Sequence, residues 1–127
     1  GGVDVRLMLP GKPDHWYADC VAESYFGELI KHGVKVYRYT PGFLHGKSIM
    51  VDREAAFVGS ANMDYRSFIF HFECGAWICD NSTVLDIKDQ FSEILKVSEE
   101  IKIDKWKKRP LKMRFKQALL HIFAPFM

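Results

Sequence analysis

The 127-residue chain contains no apolar run approaching the roughly 18–20 residues that a membrane-spanning helix requires. It has only three cysteines, Cys20, Cys74 and Cys79. An odd number argues against a closed disulfide framework and for reduced thiols, read here as buried or half-buried small side chains. Cys74 and Cys79 differ in parity along an expected strand, so they would point to opposite faces and make a poor metal pair. There is no cluster of His, Cys, Asp and Glu at metal-ligand spacing, no internal repeat, no low-complexity stretch and no signal-peptide pattern. The chain opens on Gly1-Gly2 without a methionine, and its content reads as a piece of a longer protein.

Charge of one sign is scarce as well: 18 basic against 16 acidic residues leave +2. That total conceals a division. Residues 102–127 hold eight basic residues and the single acid Asp104, a balance of +7, whereas 1–101 carry −5. An acidic body with a basic tail is not the footprint of a whole-surface nucleic-acid binder. It suits a tail that meets an anionic surface such as lipid head groups. With 48% hydrophobic and 14% aromatic residues, the chain can bury one real core and is not disordered.

Alternating apolar residues predict strands over 3–9 and 34–39, around a helix from Pro13 to about His32 that Gly33 ends. The helix's expected core stripe includes Tyr17, Val21, Ala22, Tyr25, Leu29 and Ile30. Further strands are expected over 44–52 and 55–59 around a turn at 52–54, then a loop or short helical turn over 61–68. A long β-prone stretch follows over 69–79. Asn81 or Ser82 should cap a helix facing inward through Val84, Ile87, Phe91, Ile94 and Leu95. A polar connector and a last helix opened by Pro110 complete an α/β fold, a mixed β-sheet flanked by helices. Residues 1–101 are expected to form a catalytic half-domain and 102–127 a basic amphipathic segment. The last helix carries Leu111, Phe115, Ala118, Leu119, Ile122 and Phe123 on one side. Two readings stay open: this side packs on the body, or it lies on anionic lipid.

The segment from His45 to Asn62 has the form H-x-K-x4-D-x6-G-S-x-N. In extended chain, residues two apart share a face, so His45 projects with Lys47 and Ser60 with Asn62. A nucleophile or base, a fixed cation and two hydrogen-bonding side chains together suit a phosphoryl group. Gly59 allows close backbone approach or a strained turn. A bare H-x-K would be an ordinary surface pair; the whole spaced pattern is not. His15, His32 and His121 read as surface or helix-end residues. His71 shares strand parity with Glu73 and is the exception among them. Tyr65 and Arg66 divide between a site rim and a structural role, and Trp16, Trp77 and Trp106 read as packing residues.

This pattern resembles the signature of the phospholipase D superfamily. The words at 2–14, 39–45 and 59–68 are similar to the C-terminal half of bacterial cardiolipin synthases. The resemblance is strong over 2–80 and looser beyond. It implies a phospholipase D-like half-domain and a phosphatidyl transfer joining two phosphatidylglycerols into cardiolipin and glycerol through a phosphohistidine. His45 would be one of two active-site histidines, with Lys47, Ser60 and Asn62 on the phosphate. Glu73, 28 residues after His45, would bond the histidine's other ring nitrogen. Asp52 belongs to the signature's catalytic set, yet seven residues of strand put it roughly 23 Å from His45, so it reads as a turn residue.

The implied partners are a phospholipid substrate, a membrane surface, and a second half-domain in the same chain or in a homodimer, with no nucleic acid. No cofactor or metal is implied, because Lys and His cations supply the charge. The implied place is the bacterial cell membrane, peripheral or anchored through a region before Gly1, with the site on the cytoplasmic side. Alternatives are a homodimeric phosphodiesterase of the superfamily, acting on nucleic acid or phospholipid, and a non-catalytic module that kept the fold.

Overall fold

The structure is a computed structural model that describes residues 2–126. The outer ends of the two expected segments, Gly1 and Met127, lie outside the described residues. Strand β1 (Arg6–Pro10), helix α1 (Trp16–Lys31) and strand β2 (Lys35–Tyr39) form a β-α-β unit. The two strands run parallel, in register from Arg6 opposite Lys35 to Pro10 opposite Tyr39. Gly33, at φ +90°, ends α1 in the left-handed conformation that a residue with a Cβ resists. Strands β3 (Ser48–Val51), β4 (Ala55–Gly59) and β5 (Gly75–Cys79) make an antiparallel meander. Helix α2 (Ser82–Lys96) follows, capped by Asn81, whose side chain accepts from the Thr83 amide. Strand β6 (Ser98–Glu100) then pairs antiparallel with β2. Short helix α3 (Ile103–Lys107) and helix α4 (Leu111–His121) close the chain.

The fold class is the α/β arrangement expected from the sequence, with its strands divided between two three-stranded sheets, β1-β2-β6 and β3-β4-β5. The core centres on Phe26, Val36, Ala56 and Val84, all buried. On α1, Val21 is buried as expected, but Cys20, Phe26 and Gly27 are buried too, while Tyr17 is exposed. Helix α1 is covered on two sides, by its sheet and by α3 and α4, so its buried arc is wider than a single stripe. Gly27 is where α3 comes closest: a Cβ there would stand 2.3 Å from the Trp106 ring.

Three expected strands are clearly shorter than their sequence patterns; the first, expected over 3–9, runs from Arg6 to Pro10. The strand expected over 44–52 is regular only from Ser48 to Val51, because β4 offers a ladder only that long. The β-prone stretch 69–79 is strand only from Gly75; Ile69 and Phe70 belong to a π-helical turn, Arg66–Phe70. The polar connector holds an unexpected strand, β6, in which Glu99 sits opposite Arg38 and Glu100 opposite Tyr37. No helix among the described residues is long and apolar enough to cross a membrane.

One buried polar hub ties these layers together. Arg38, on β2, donates to the Pro10 carbonyl at 2.7 Å, to Asp19 at 2.5 Å and to Glu23 at 3.0 Å. Its guanidinium also lies 5.3 Å from the centre of the Phe26 ring. The other Glu23 oxygen accepts from Gln117 of α4 at 3.1 Å, and Gln117 accepts from Arg109 at 2.7 Å. Among the described residues no buried side-chain nitrogen or oxygen lacks a partner, which is what makes such a hub tolerable in a core.

Candidate active site

The arm that precedes β3 carries His45 and Lys47. Both lie just outside the regular strand, yet the chain is extended enough to keep them on one side: Lys47 Nζ stands 3.1 Å from His45 Nε2 and 3.0 Å from the His45 carbonyl. The Gly59 amide donates to the Lys47 carbonyl at 3.1 Å and tethers the arm to the end of β4. Phe43 stacks on the imidazole at 5.5 Å between ring centres. The Lys47 ammonium, which can only donate, thus stands within hydrogen-bond distance of the His45 ring.

The second wall comes from the strand ends of β4 and β5. The Ser60 amide donates to the Cys74 carbonyl at 2.9 Å, and the Cys74 amide donates back to Ser60 Oγ at 3.0 Å. The Ser60 hydroxyl in turn donates to Glu73. Gly59 has no room for a side chain here, since a Cβ would fall 2.6 Å from the Cys74 carbonyl oxygen. Asn62 is exposed, and its side-chain amide makes no hydrogen bond among the described residues. Its backbone amide donates to Ser67 Oγ at 3.0 Å, while the Ser67 amide donates to Asp64 at 2.7 Å. Ser67 is buried and shapes the loop that presents Asn62. The sequence reading gave it no role, although an Asp three residues before a Ser is a recognisable turn-capping pattern.

Glu73 is held below the usual carboxylate range by the Ser60 and Ser67 hydroxyls, which outweigh partial burial; Lys47 adds its positive field. Its partners differ from those implied by resemblance. The carboxylate bonds Ser60 and approaches His71 Nδ1 at 4.0 Å, and no hydrogen bond joins it to His45. His71 accepts from Arg66 Nε at 3.1 Å, so the histidine singled out for its parity does stand beside Glu73. Asp52 lies in the turn between β3 and β4, at the opposite end of the strand from Lys47, with φ +49°. The structure thus brings Lys47 to His45, and Ser60 to Glu73. Asp52 stays apart from both.

Cys20 is buried, whereas Cys74 and Cys79 are exposed. No group of three or more His, Cys, Asp and Glu among the described residues could hold a metal ion. A cleft of about 380 Å³ is lined by Met63, Tyr65 and Phe68 with Leu7, Leu9 and Tyr25, and none of the candidate site residues lines it. Met63 and Phe72, next in the chain to Asn62 and Glu73, are exposed.

Residues 1–95 match the family described as cardiolipin synthase, phospholipase D-like domain. Similar proteins carry the name cardiolipin synthase. Those of Clostridium perfringens strain SM101, Listeria welshimeri serovar 6b and Listeria innocua serovar 6a are each 40% identical over 126 residues. The match covers 99% of this chain and 26% of each relative, so the chain spans about a quarter of their length. No solved structure matches the chain. The matched span runs from β1 through the His45 arm to α2 and takes in both walls of the site; the chain belongs to the cardiolipin synthase family of phospholipase D-like domains.

Proposed function

We propose that this chain supplies one half of a two-histidine site that moves a phosphatidyl group from one phosphatidylglycerol to another, releasing glycerol. The observation that carries the reading is the placement of Lys47 Nζ 3.1 Å from His45 Nε2. It sets a fixed cation beside the imidazole, where it can draw the anionic phosphodiester to the histidine and offset the charge that builds on its oxygens. In the first step one histidine of the pair forms a nitrogen–phosphorus bond while the bond from phosphorus to the glycerol oxygen breaks. The other histidine, as imidazolium, gives its proton to that oxygen. In the second step the hydroxyl of another lipid loses its proton to the now neutral histidine and attacks phosphorus, and the nitrogen–phosphorus bond breaks.

Lys47 and Asn62 would hold the non-bridging oxygens, with Ser60 close by. Glu73, bonded to Ser60, would place that hydroxyl. Exposed apolar Met63 and Phe72, chain neighbours of Asn62 and Glu73, support a lipid over a nucleic acid as the donor. In a site with one histidine on each side of phosphorus, the second must come from another half-domain, in the same chain or in a second copy.

The test is His45→Asn in the complete enzyme, with cardiolipin formation from phosphatidylglycerol vesicles followed by thin-layer chromatography. Loss of cardiolipin and of phosphatidic acid alike, in a folded variant, is expected. Unchanged transfer would remove His45 from the mechanism. Phosphatidic acid as the parent's sole product would make water the acceptor and the protein a phosphodiesterase.

A further inference from the structure

Helix α4 turns its apolar side away from the protein. It is seated on α1 by Gln117, only 1% exposed, through the bonds to Glu23 and Arg109, with half-buried Leu120 on the same side. At about 100° per residue, Leu111, Phe115, Ala118, Leu119 and Ile122 fall within an arc of roughly 100° on the other side. Leu111 is 77%, Phe115 74% and Ile122 68% exposed. The borders of the arc are basic: Lys112 and Lys116 on one edge, Arg114 and His121 on the other. Lys116 Nζ sits 4.0 Å from the centre of the Trp16 ring, and that indole, 60% exposed, stands at the edge of the arc.

Within residues 102–127, Lys102 pairs with Glu100, Lys105 with Glu99, and Arg109 stacks on Trp106. Lys107, Lys108, Lys112, Arg114 and Lys116 make no salt bridge among the described residues. An apolar arc with basic borders fits the boundary between head groups and acyl chains of an anionic bilayer. A tryptophan at the edge fits the same depth. We propose that α4 is an interfacial anchor that lays its Leu111–Phe115–Ile122 arc into an anionic lipid surface. The proposal is separate from the chemistry at His45, because it is read by binding and not by turnover.

The 127-residue chain is floated with vesicles of equal parts phosphatidylglycerol and phosphatidylcholine, and with phosphatidylcholine alone. It should bind the anionic vesicles and lose them at about 1 M salt, where the screening length is about 3 Å. Phe115→Ser with Ile122→Ser should weaken binding at least tenfold with an unchanged melting temperature, since both side chains are already in solvent. Lys112→Gln with Arg114→Gln should weaken it by about 25-fold at low salt, roughly fivefold for each charge. Three results would overturn the proposal. The parent does not bind anionic vesicles; it binds both vesicle types equally whatever the salt; or the serine variant binds as the parent does. A serine variant that turns a dimer into a monomer while vesicle binding persists would assign the arc to a second copy of the chain.

Discussion

Glu73 and Asp52 are both acids of the candidate set, and their surroundings give them different work. Asp52 sits at φ +49° in a two-strand turn, a conformation that Asp and Asn tolerate better than most residues. Asp52→Asn should therefore leave both the turn and the proposed transfer nearly intact. Glu73 holds the Ser60 hydroxyl and lies in the field of Lys47. Exchanging a histidine's own carboxylate partner costs about 10⁴-fold in the serine-protease template. Glu73 acts one bond further away, through Ser60, so Glu73→Gln should cost on the order of 10²-fold. Initial rates of cardiolipin formation, corrected for the folded fraction, compare the two; a silent Glu73 with a large loss at Asp52 would reverse the assignment.

The same carboxylate leaves a trace in stability. Its folded value lies below the ordinary glutamate value of about 4.3. Its contribution is thus complete above that value and is lost as pH falls through the folded one. Melting temperatures taken from about pH 5 to pH 3 should fall less steeply for Glu73→Gln than for the parent. Asp4, held down at about 2 by Arg6 and Lys35, keeps its own contribution to lower pH in both proteins.

Among the elements, β2 and α1 are joined by a charge and not by apolar packing alone. Arg38 is buried, and removing it would leave Asp19 and Glu23 facing each other without a cation. Breaking one side of such a buried pair costs about 3–5 kcal/mol. Arg38→Met should lower stability by about that amount in a urea titration. It should also loosen α4, because Glu23 is the acceptor that holds Gln117. If Arg38→Met together with Asp19→Asn and Glu23→Gln recovers most of the loss, the cost is the stranded charge; if not, it is the missing volume. The arm before β3 is governed by a different constraint. Four residues of ladder with β4 leave His45 and Lys47 beyond the last full pair, tied to β4 through the Lys47 carbonyl. A catalytic pair on an arm can meet a substrate from more directions than one locked in mid-sheet.

For the whole molecule, the open surfaces are as informative as the core. Ile49, Val51 and Trp77 of the β3-β4-β5 sheet are exposed, as are Phe70 and Phe72 in the segment before Glu73. The chain spans about a quarter of its relatives' length. With one candidate active-site histidine on the arm, the 127-residue chain as a proven monomer should show no more than trace turnover of phosphatidylglycerol. If two copies meet through the face bearing His45, specific activity should rise with protein concentration in step with the dimer fraction seen by analytical ultracentrifugation. Robust turnover by the monomer would contradict a two-histidine site.

The β-α-β unit, the short antiparallel strands, the Asn81 cap and the helix behind it were all legible in the sequence. Their periods and punctuation are local, and a residue two or four positions on shares a face whatever surrounds it. The spacing of His45, Lys47, Ser60 and Asn62 was legible for the same reason. Other features needed the rest of the fold. Where a strand stops depends on its partner: β3 ends its ladder with β4, and polar Ser98–Glu100 becomes a strand because β2 offers an edge, with Lys105 and Lys102 pairing Glu99 and Glu100. The partner of Glu73 was decided by the loop that brings Ser60 and Ser67 to it. The face that α4 turns inward was decided by one buried hydrogen-bonded side chain, Gln117, against an apolar arc that periodicity alone would have buried. A sequence pattern records which residues share a face; only the packed neighbours decide which face meets water.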